Sequence, residues 1–375
     1  MTPIPEPPKK RLGNVLVIGG CGFLGHHIVN LLLTSYTAKV SVLDLTTTRN
    51  RRPDPDGVAY YEGNITSLES LVPIFEKAKP DVVIHTASPN LMGASNDLYY
   101  KVNVEGTKCV IEACQKTGVK ALVYTSSASV ISDTIHDLVN ADERWPVVPA
   151  SAQAEYYSTT KAQAEALVLA ANRSPTHPSL LTCSLRPAGI FGEGDVQVLP
   201  PIINVHTTSK TGFQLGANEN LFDFTYVLNV AHAHLLAAFA LVQTAKLATA
   251  PLDYERVDGE SFFVTNDEPC YFWDFARAVW KAAGSDKGTE HVWVIGRDVG
   301  MAIGALLEWG MWVVGRTPKL TRRQVRYSCM TRYYDCGKAK RRLGYKPLVG
   351  LQDGIARSVR YFVDEKAREG EKKGQ

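Results

Sequence analysis

At 375 residues the chain has room for one large domain or two, and a hydrophobic content of 45% supplies a sizeable core. Its 41 basic and 38 acidic residues leave a net charge of +3, which gives no electrostatic ground for nucleic-acid binding. The 7 cysteines are odd in number and form no Cys-x-x-Cys pair, a pattern of reduced thiols facing the cytosol without a structural metal.

In chain order, residues 1–12 carry four prolines and read as a disordered lead-in, not a targeting helix. An apolar run from Val15 to Ile18 reads as a buried strand, broken at Gly19, and an apolar helical pattern starts at Phe23 and Leu24. Glycines at 19, 22 and 25 have the spacing of a dinucleotide-binding turn. In that motif Gly19 permits the tight turn, Gly22 lets backbone approach a pyrophosphate, and Gly25 lets helix pack on strand. The helix N-terminus then offers N–H groups to phosphates. A second strand, Val40 to Leu43, ends in Asp44, where an acid meets the adenosine ribose hydroxyls and repels a 2′-phosphate. That favours NAD⁺. Arg49, Arg51 and Arg52 close behind are placed to hold a phosphate instead, which keeps NADP⁺ as the alternative.

Further strands are expected at Val58–Glu62, Val82–His85, Ala121–Thr125 and Leu180–Leu185. Helices are expected from a Ser67 cap to Lys79, from Leu98 to Thr117 before Gly118, and from Tyr156 to Asn172. The alternation predicts an α/β fold, a doubly wound parallel sheet of Rossmann type with a smaller C-terminal lobe. The second half is less regular, with a loop from Pro187 to Pro201, helices at Val227–Thr244 and Trp273–Ala283, and a strand at Phe262–Val264. The expected organisation is a dinucleotide domain over 13–190, rejoined by 225–265, a substrate lobe over 191–366, and a charged tail over 367–375.

Tyr157 and Lys161 stand at i and i+4, on one face of the expected helix. A free tyrosine, with a pKa near 10, is a poor base at neutral pH, and a nearby ammonium lowers it. Such a pair suits proton removal from an alcohol during hydride transfer. A hydroxyl beyond the carboxyl end of the fifth strand completes the set; Ser126 and Ser127 both qualify there.

With these motifs in place, the chain resembles the extended short-chain dehydrogenases/reductases. More narrowly it is similar to the 3β-hydroxysteroid dehydrogenase group and its decarboxylating sterol dehydrogenases. The resemblance rests on residues 19–27, His85 to Pro89, Val102 to Thr107, Thr125 to Ser129, Tyr157 with Lys161, Arg186 to Gly192, Phe222 to Val227 and Cys336 to Tyr345. It implies Tyr157 as catalytic base, Lys161 holding the nicotinamide ribose, and Ser127 as the catalytic serine. It places Asn64 and Ile65 beside adenine, Ala87 and Ser88 along ribose and phosphates, and Pro187 to Ile190 at the nicotinamide amide. Asn103 reads as helix-locking, and His26 and His27 as ordinary helix residues. The implied reaction is NAD(P)⁺-dependent oxidation of the 3β-hydroxyl of a 4α-carboxysterol with loss of CO₂, in the C4-demethylation of ergosterol synthesis. A related triterpenoid dehydrogenase and a nucleotide-sugar epimerase or dehydratase are the alternatives; the Trp-, Phe-, Leu- and Val-rich second half argues against a sugar diphosphate. The resemblance adds a homodimer and other C4-demethylation enzymes as partners.

The segment Val299–Gly315 is apolar but interrupted by Glu308, Gly300, Gly304 and Gly310. Its seventeen residues reach only about 25 Å as a helix, short of a hydrocarbon core of roughly 30 Å. With Trp293, Trp309 and Trp312 nearby, and with Arg297, Arg316, Lys319, Arg322, Arg323 and Arg326 placed for anionic head groups, it reads as a peripheral contact with the cytosolic face of the endoplasmic reticulum membrane. The other reading is a buried helix lining the substrate pocket.

Overall fold

The inner strands of a seven-stranded sheet are buried on both faces, and this is why the sequence shows unbroken apolar runs instead of alternation. The structure, a computed structural model, describes residues 9–90, 93–290, 292–313, 315 and 320–373. The expectations for residues 1–8 of the lead, for Arg316 and Lys319, and for residues 374–375 of the tail lie outside the described residues.

The strands are β1 (Lys10–Ile18), β2 (Tyr36–Asp44), β3 (Ala59–Glu62), β4 (Val82–His85), β5 (Ala121–Thr125), β6 (Leu181–Pro187) and β7 (Ser261–Val264). All pair in parallel, in the order β7-β6-β5-β4-β1-β2-β3. The order reverses between β1 and β4, and ligands of such sheets bind beyond the carboxyl strand ends at that point. Within β1, Val15 and Val17 join one core with helices α1 (Phe23–Ser35) and Val227–Thr244, while Leu16 and Ile18 join a second core on the opposite face. The second core holds α2 (Leu68–Ala78), α3 (Thr107–Thr117) and α4 (Tyr156–Ala170).

Three local expectations need correction. Lys10 to Leu12 is not lead-in but the start of β1: Lys10 and Arg11 pair with Tyr36 and Thr37, and Leu12 is buried. Polar residues at a strand end satisfy the ladder without contributing to an apolar run, so the run begins too late. The helix expected from Leu98 contains a π-helical stretch, Tyr100–Gly106, before α3. There Gly106 lies against Ile65, whose Cδ1 would be 2.7 Å from a Cβ at that position. The expected loop from Pro187 holds a short strand, Gly189–Phe191, and the start of helix Leu199–Thr207. Pro200 and Pro201 fall in that helix's first turn, where the missing N–H costs nothing.

The smaller lobe carries a four-stranded sheet of Cys270–Tyr271, Leu221–Phe222, Arg332–Tyr334 and Leu138–Ala141. We label α5 the core helix Val227–Thr244, α6 the helix Arg297–Val313 and α7 the helix Arg322–Cys329. The glycines of α6 have a packing purpose: Gly300 faces Val325, and a Cβ on Gly304 would lie 2.9 Å from the Arg322 backbone nitrogen. Close approach of α7 therefore requires them.

The tightest contact in the Rossmann half is at Gly25, where a Cβ would sit 2.0 Å from the Gly19 carbonyl oxygen and 2.7 Å from Gly20 Cα. Gly25→Ala is expected to push α1 off the turn and destabilise the protein by about 1–3 kcal/mol, the usual cost of overpacking. Urea unfolding midpoints measure this, and an unchanged midpoint would show that α1 shifts freely.

Candidate active site

The carboxyl ends of the strands bring the expected residues to one crevice. After β1, Gly19 adopts φ +82°, and a Cβ there would lie 2.8 Å from both Ala87 N and Thr86 Oγ1. The turn is thus pressed against the loop after β4, which only glycine allows. Gly20, not singled out in the sequence, is equally tight against Val42. Phe23 and Leu24 lie in the first turn of α1, whose N-cap Gly22 makes no side-chain cap, so this helix start offers its N–H groups to a ligand. Asp44 closes β2 and accepts hydrogen bonds from Cys21 N at 3.0 Å and Leu45 N at 2.8 Å. This fixes the carboxylate beside the glycine turn. Of the arginines behind it, Arg51 lies 3.3 Å from Asp54, and Arg52 donates to Asp56 at 2.7 Å.

Asn64 is exposed, with Oδ1 accepting from Thr66 N at 3.0 Å, while Ile65 packs on the π-helical stretch. Pro187 pairs in register with Val264 at the end of β6, and Ile190 pairs with Thr225.

That cluster is the centre of the crevice. The Tyr157 phenol has the Ser88 and Ser127 hydroxyls as hydrogen-bond neighbours, and its ring meets Tyr99 edge-on with centroids 5.7 Å apart. Of the two serines left open by the sequence, Ser127 faces the tyrosine. Ser126 Oγ is buried without a partner among the described residues. Ser88 donates to Asn103 Oδ1 at 2.9 Å, and Asn103 Nδ2 donates to Thr160 Oγ1 at 3.0 Å. Asn103 therefore locks the loop after β4 to α4, as its helix-locking reading requires. His26 bonds the carbonyl of Gly22 at the start of its own helix, and His27 bonds that of Glu193 and so ties α1 to the neighbouring loop.

Lys161 is buried, and its ammonium donates to the Thr125 carbonyl at 2.8 Å and to the Tyr124 hydroxyl at 3.4 Å. Thr125 in turn shares a 2.7 Å hydrogen bond with His234 Nε2 on α5, and His234 Nδ1 bonds Val230 O at 2.8 Å. No local signal marks His234, because its role depends on α5 packing 109 residues away against β5.

The electrostatics differ from the sequence expectation. Burial, with a contribution from Tyr99, pushes the Tyr157 phenol well above its ordinary value against the opposing effect of Ser88 and Ser127. Burial lowers Lys161 to about 7, with Glu165 opposing. Lys161 Nζ lies 6.0 Å from the Tyr157 ring centroid. The expected lowering of the tyrosine by a charged lysine is therefore not what this arrangement produces: both groups lose more from desolvation than they gain from each other.

Tyr157 opens onto a cleft of about 680 Å³, within the usual range of roughly 300–1,000 Å³ for small-molecule sites. Arg322, Arg323, Arg326 and Arg332 line the cleft together with Glu155 and Glu308, so this wall is charged although the second half is rich in apolar residues. Arg322 pairs with Glu308 at 2.6 Å and Arg323 with Glu155 at 2.6 Å, and both arginine side chains stay about half exposed. The tryptophans point away: Trp293, Trp309 and Trp312 are exposed.

Residues 16–295 match the 3-beta hydroxysteroid dehydrogenase/isomerase family. The chain is 41% identical over 361 residues to the decarboxylating sterol-4-alpha-carboxylate 3-dehydrogenase of Saccharomyces cerevisiae, covering 94% of this chain and 98% of that protein. It is 36% identical to the Homo sapiens protein of the same name, covering 92% and 87%. Among solved structures it is similar to UDP-glucose 4-epimerase of Thermotoga maritima, with a TM-score of 0.68 and 21% identity over 94% of this chain and 99% of that one. It is also similar to the NAD complex of dTDP-glucose 4,6-dehydratase of Bacillus anthracis, with a TM-score of 0.67 and 18% identity over 96% and 98%. These structural likenesses establish the fold.

Lys161 generates a prediction of stability against pH. Its value falls from the ordinary 10.5 to about 7 on folding. Between those values the unfolded chain binds more protons, so wild-type stability gains a positive slope with pH there. Lys161→Met removes that slope. The variant is expected to be at least as stable as wild type at pH 7 and to lose this relative advantage towards about pH 10, measured by urea midpoints. A constant difference across the range would show that Lys161 is not desolvated.

Proposed function

We propose, because the chain belongs to the 3-beta hydroxysteroid dehydrogenase/isomerase family, that it oxidises the 3β-hydroxyl of a 4α-carboxysterol to the 3-ketone with release of CO₂. The observation that carries this reading is the Tyr157 phenol, flanked by the Ser88 and Ser127 hydroxyls, at the mouth of a ligand-sized cleft. The identity to sterol-4-alpha-carboxylate 3-dehydrogenases over nearly the whole chain supports it.

The residues around the glycine turn fit a nicotinamide dinucleotide. The uncapped first turn of α1 suits its pyrophosphate, the absent Cβ atoms at 19, 22 and 25 leave backbone free to approach, and Asp44 is held where the ribose hydroxyls would lie. Because Arg51 and Arg52 are engaged by Asp54 and Asp56, the reading favours NAD⁺ over NADP⁺. When bound, the dinucleotide accepts the hydride from C3. Tyr157 takes the hydroxyl proton, Ser127 holds the same oxygen, and Lys161 is placed to hold the nicotinamide ribose. The resulting β-keto acid needs no further protein group. Its C4–carboxyl bond breaks, the electron pair enters the ketone as an enolate, CO₂ leaves, and the enolate takes one proton.

A second reading, a nucleotide-sugar enzyme, is favoured by the cleft arginines. The 18% to 21% identity to such structures, against 41% to the sterol enzyme, weighs against it. The deciding experiment supplies a 4α-carboxy-3β-hydroxysterol and NAD⁺. Reduced cofactor and trapped CO₂ are expected in a one-to-one ratio, and Tyr157→Phe lowers kcat by about 10²–10⁴-fold. Reduced cofactor without CO₂ would defeat the decarboxylating assignment, and near-normal kcat in the variant would remove Tyr157 from the chemistry.

The same reading places the protein on the cytosolic face of the endoplasmic reticulum membrane. Gly300 and Gly304 turn one face of α6 onto α7, and the other exposes Val299, Leu306, Trp309 and Trp312. At 100° per residue these span roughly 140° of the circumference, a stripe suited to lying in an interface. The helix also walls the cleft through Glu308, so the two readings of this segment are compatible. Among the described residues, the helix long and apolar enough to cross a bilayer is α5, and it lies in the core. Changing Trp309 and Trp312 to Ser is expected to move the folded protein from the membrane to the soluble fraction of cells. Equal membrane binding would show that α6 is not the contact.

A further inference from the structure

The cleft beside Tyr157 holds more positive charge than its acids neutralise. Four guanidinium groups line it against the two carboxylates of Glu155 and Glu308. Both carboxylates are engaged, Glu308 by Arg322 and Glu155 by Arg323. Arg332 donates its Nε to the neutral Tyr334 hydroxyl at 2.7 Å. Arg326, half-buried on α7, makes no side-chain hydrogen bond or ion pair among the described residues; its charge reaches Glu308 through space and helps hold that carboxyl low, but Glu308 is bonded to Arg322 instead. Two positive charges are therefore left facing the space into which Tyr157 opens.

The position of Arg326 follows from its neighbour. Arg323 is fixed by its ion pair to Glu155, two residues before Tyr157 in the chain. Arg326 is three positions further along the same helix, so it shares that face. The contact that docks α7 against the start of α4 therefore also aims Arg326 into the cleft. A partly buried, unpaired guanidinium is costly to maintain unless a ligand supplies the anion. Its planar fork matches a carboxylate through two parallel hydrogen bonds.

We propose that Arg326, with Arg332 behind it, binds the substrate's C4 carboxylate and so orients the adjacent hydroxyl towards Tyr157. The inference rests on the dehydrogenase reading above and names the group that selects acidic over neutral sterols. Pairing with the carboxylate fixes which sterol face and which end enter the cleft. Loss of CO₂ removes the anion from the sterol, so the same contact that favours substrate does nothing to retain product.

The test compares two ligands, a 4α-carboxy-3β-hydroxysterol and its 4α-methyl counterpart, delivered in cyclodextrin. Equilibrium binding is measured without NAD⁺ and turnover with it. Arg326→Gln is expected to weaken binding and raise KM for the carboxylated sterol roughly 10–100-fold, the worth of a lost hydrogen bond to a charged group. Binding of the methyl sterol, the melting temperature and NAD⁺ affinity are expected to stay unchanged. Arg326→Lys should recover part of the loss, because it keeps the charge and loses the fork. Equal weakening of both sterols, or wild-type values for the acid in Arg326→Gln, would overturn the assignment while leaving the dehydrogenase intact. Wild type that neither binds nor oxidises the carboxysterol would instead defeat the functional reading itself. Arg326-dependent binding of UDP-glucose in preference to the sterol acid would reassign the cleft to a phosphate ligand.

Discussion

Backbone lying directly on backbone at the glycine turn is the constraint from which the rest of the site follows. The Gly19 carbonyl occupies the space that any side chain at 25 would need, and the amide of Ala87 crowds position 19 in the same way. These contacts set α1 at the carboxyl end of β1 and bring the loop after β4 across it. Ser88 on that loop then reaches both Asn103 and the neighbourhood of Tyr157. A shift of an ångström at Gly25 would thus be passed to the hydroxyl cluster through packed backbone, which has little freedom to absorb it.

Lys161 shows the reverse principle, a site held at the expense of stability. Its ammonium is buried among β5 and α4, with a carbonyl and a phenol as its polar neighbours. Glu165, one turn further along α4, is already bonded by Arg186 and Ser184 and serves as a distant counter-charge. A buried amine of this kind is poised to change protonation when its surroundings change, and that property is useful beside a phenol that must give and take a proton. The Thr125–His234 link explains why α5 is so tightly fitted to the sheet: it holds the carbonyl that holds the lysine.

The smaller lobe solves a different problem. It presents charge to a cleft and apolar surface to its outside, using the two packed helices α6 and α7. Glycines on one face of α6 allow α7 to approach until Arg322 reaches Glu308. This leaves the tryptophans and Leu306 exposed on one side and the arginines along the cleft wall on the other. A cleft with a charged mouth wall beside a helix with an exposed apolar face suits an amphipathic substrate with one acidic end.

Periodicity and spacing alone determined the alternating fold, the glycine turn, Asp44 and the Tyr157–Lys161 pair, because each is written within a few consecutive residues. A strand buried on both faces must be apolar throughout, and a dinucleotide turn must lack Cβ atoms at fixed positions. A helix must also place i and i+4 on one face. The tertiary structure decided what depends on distance through space. It gave the physical reason for Ser127, the serine the family resemblance points to: the path of the chain after β5 turns that hydroxyl to the tyrosine and buries Ser126 Oγ. It placed His234 behind Thr125 and reversed the expected electrostatic balance of Tyr157 and Lys161, because burial is a property of the packed whole. It also turned arginines more than 160 residues beyond Tyr157 into its cleft. In the sequence those arginines are a basic cluster beside an apolar segment, and charge patterning cannot tell an inward face from an outward one until a second helix defines the inside.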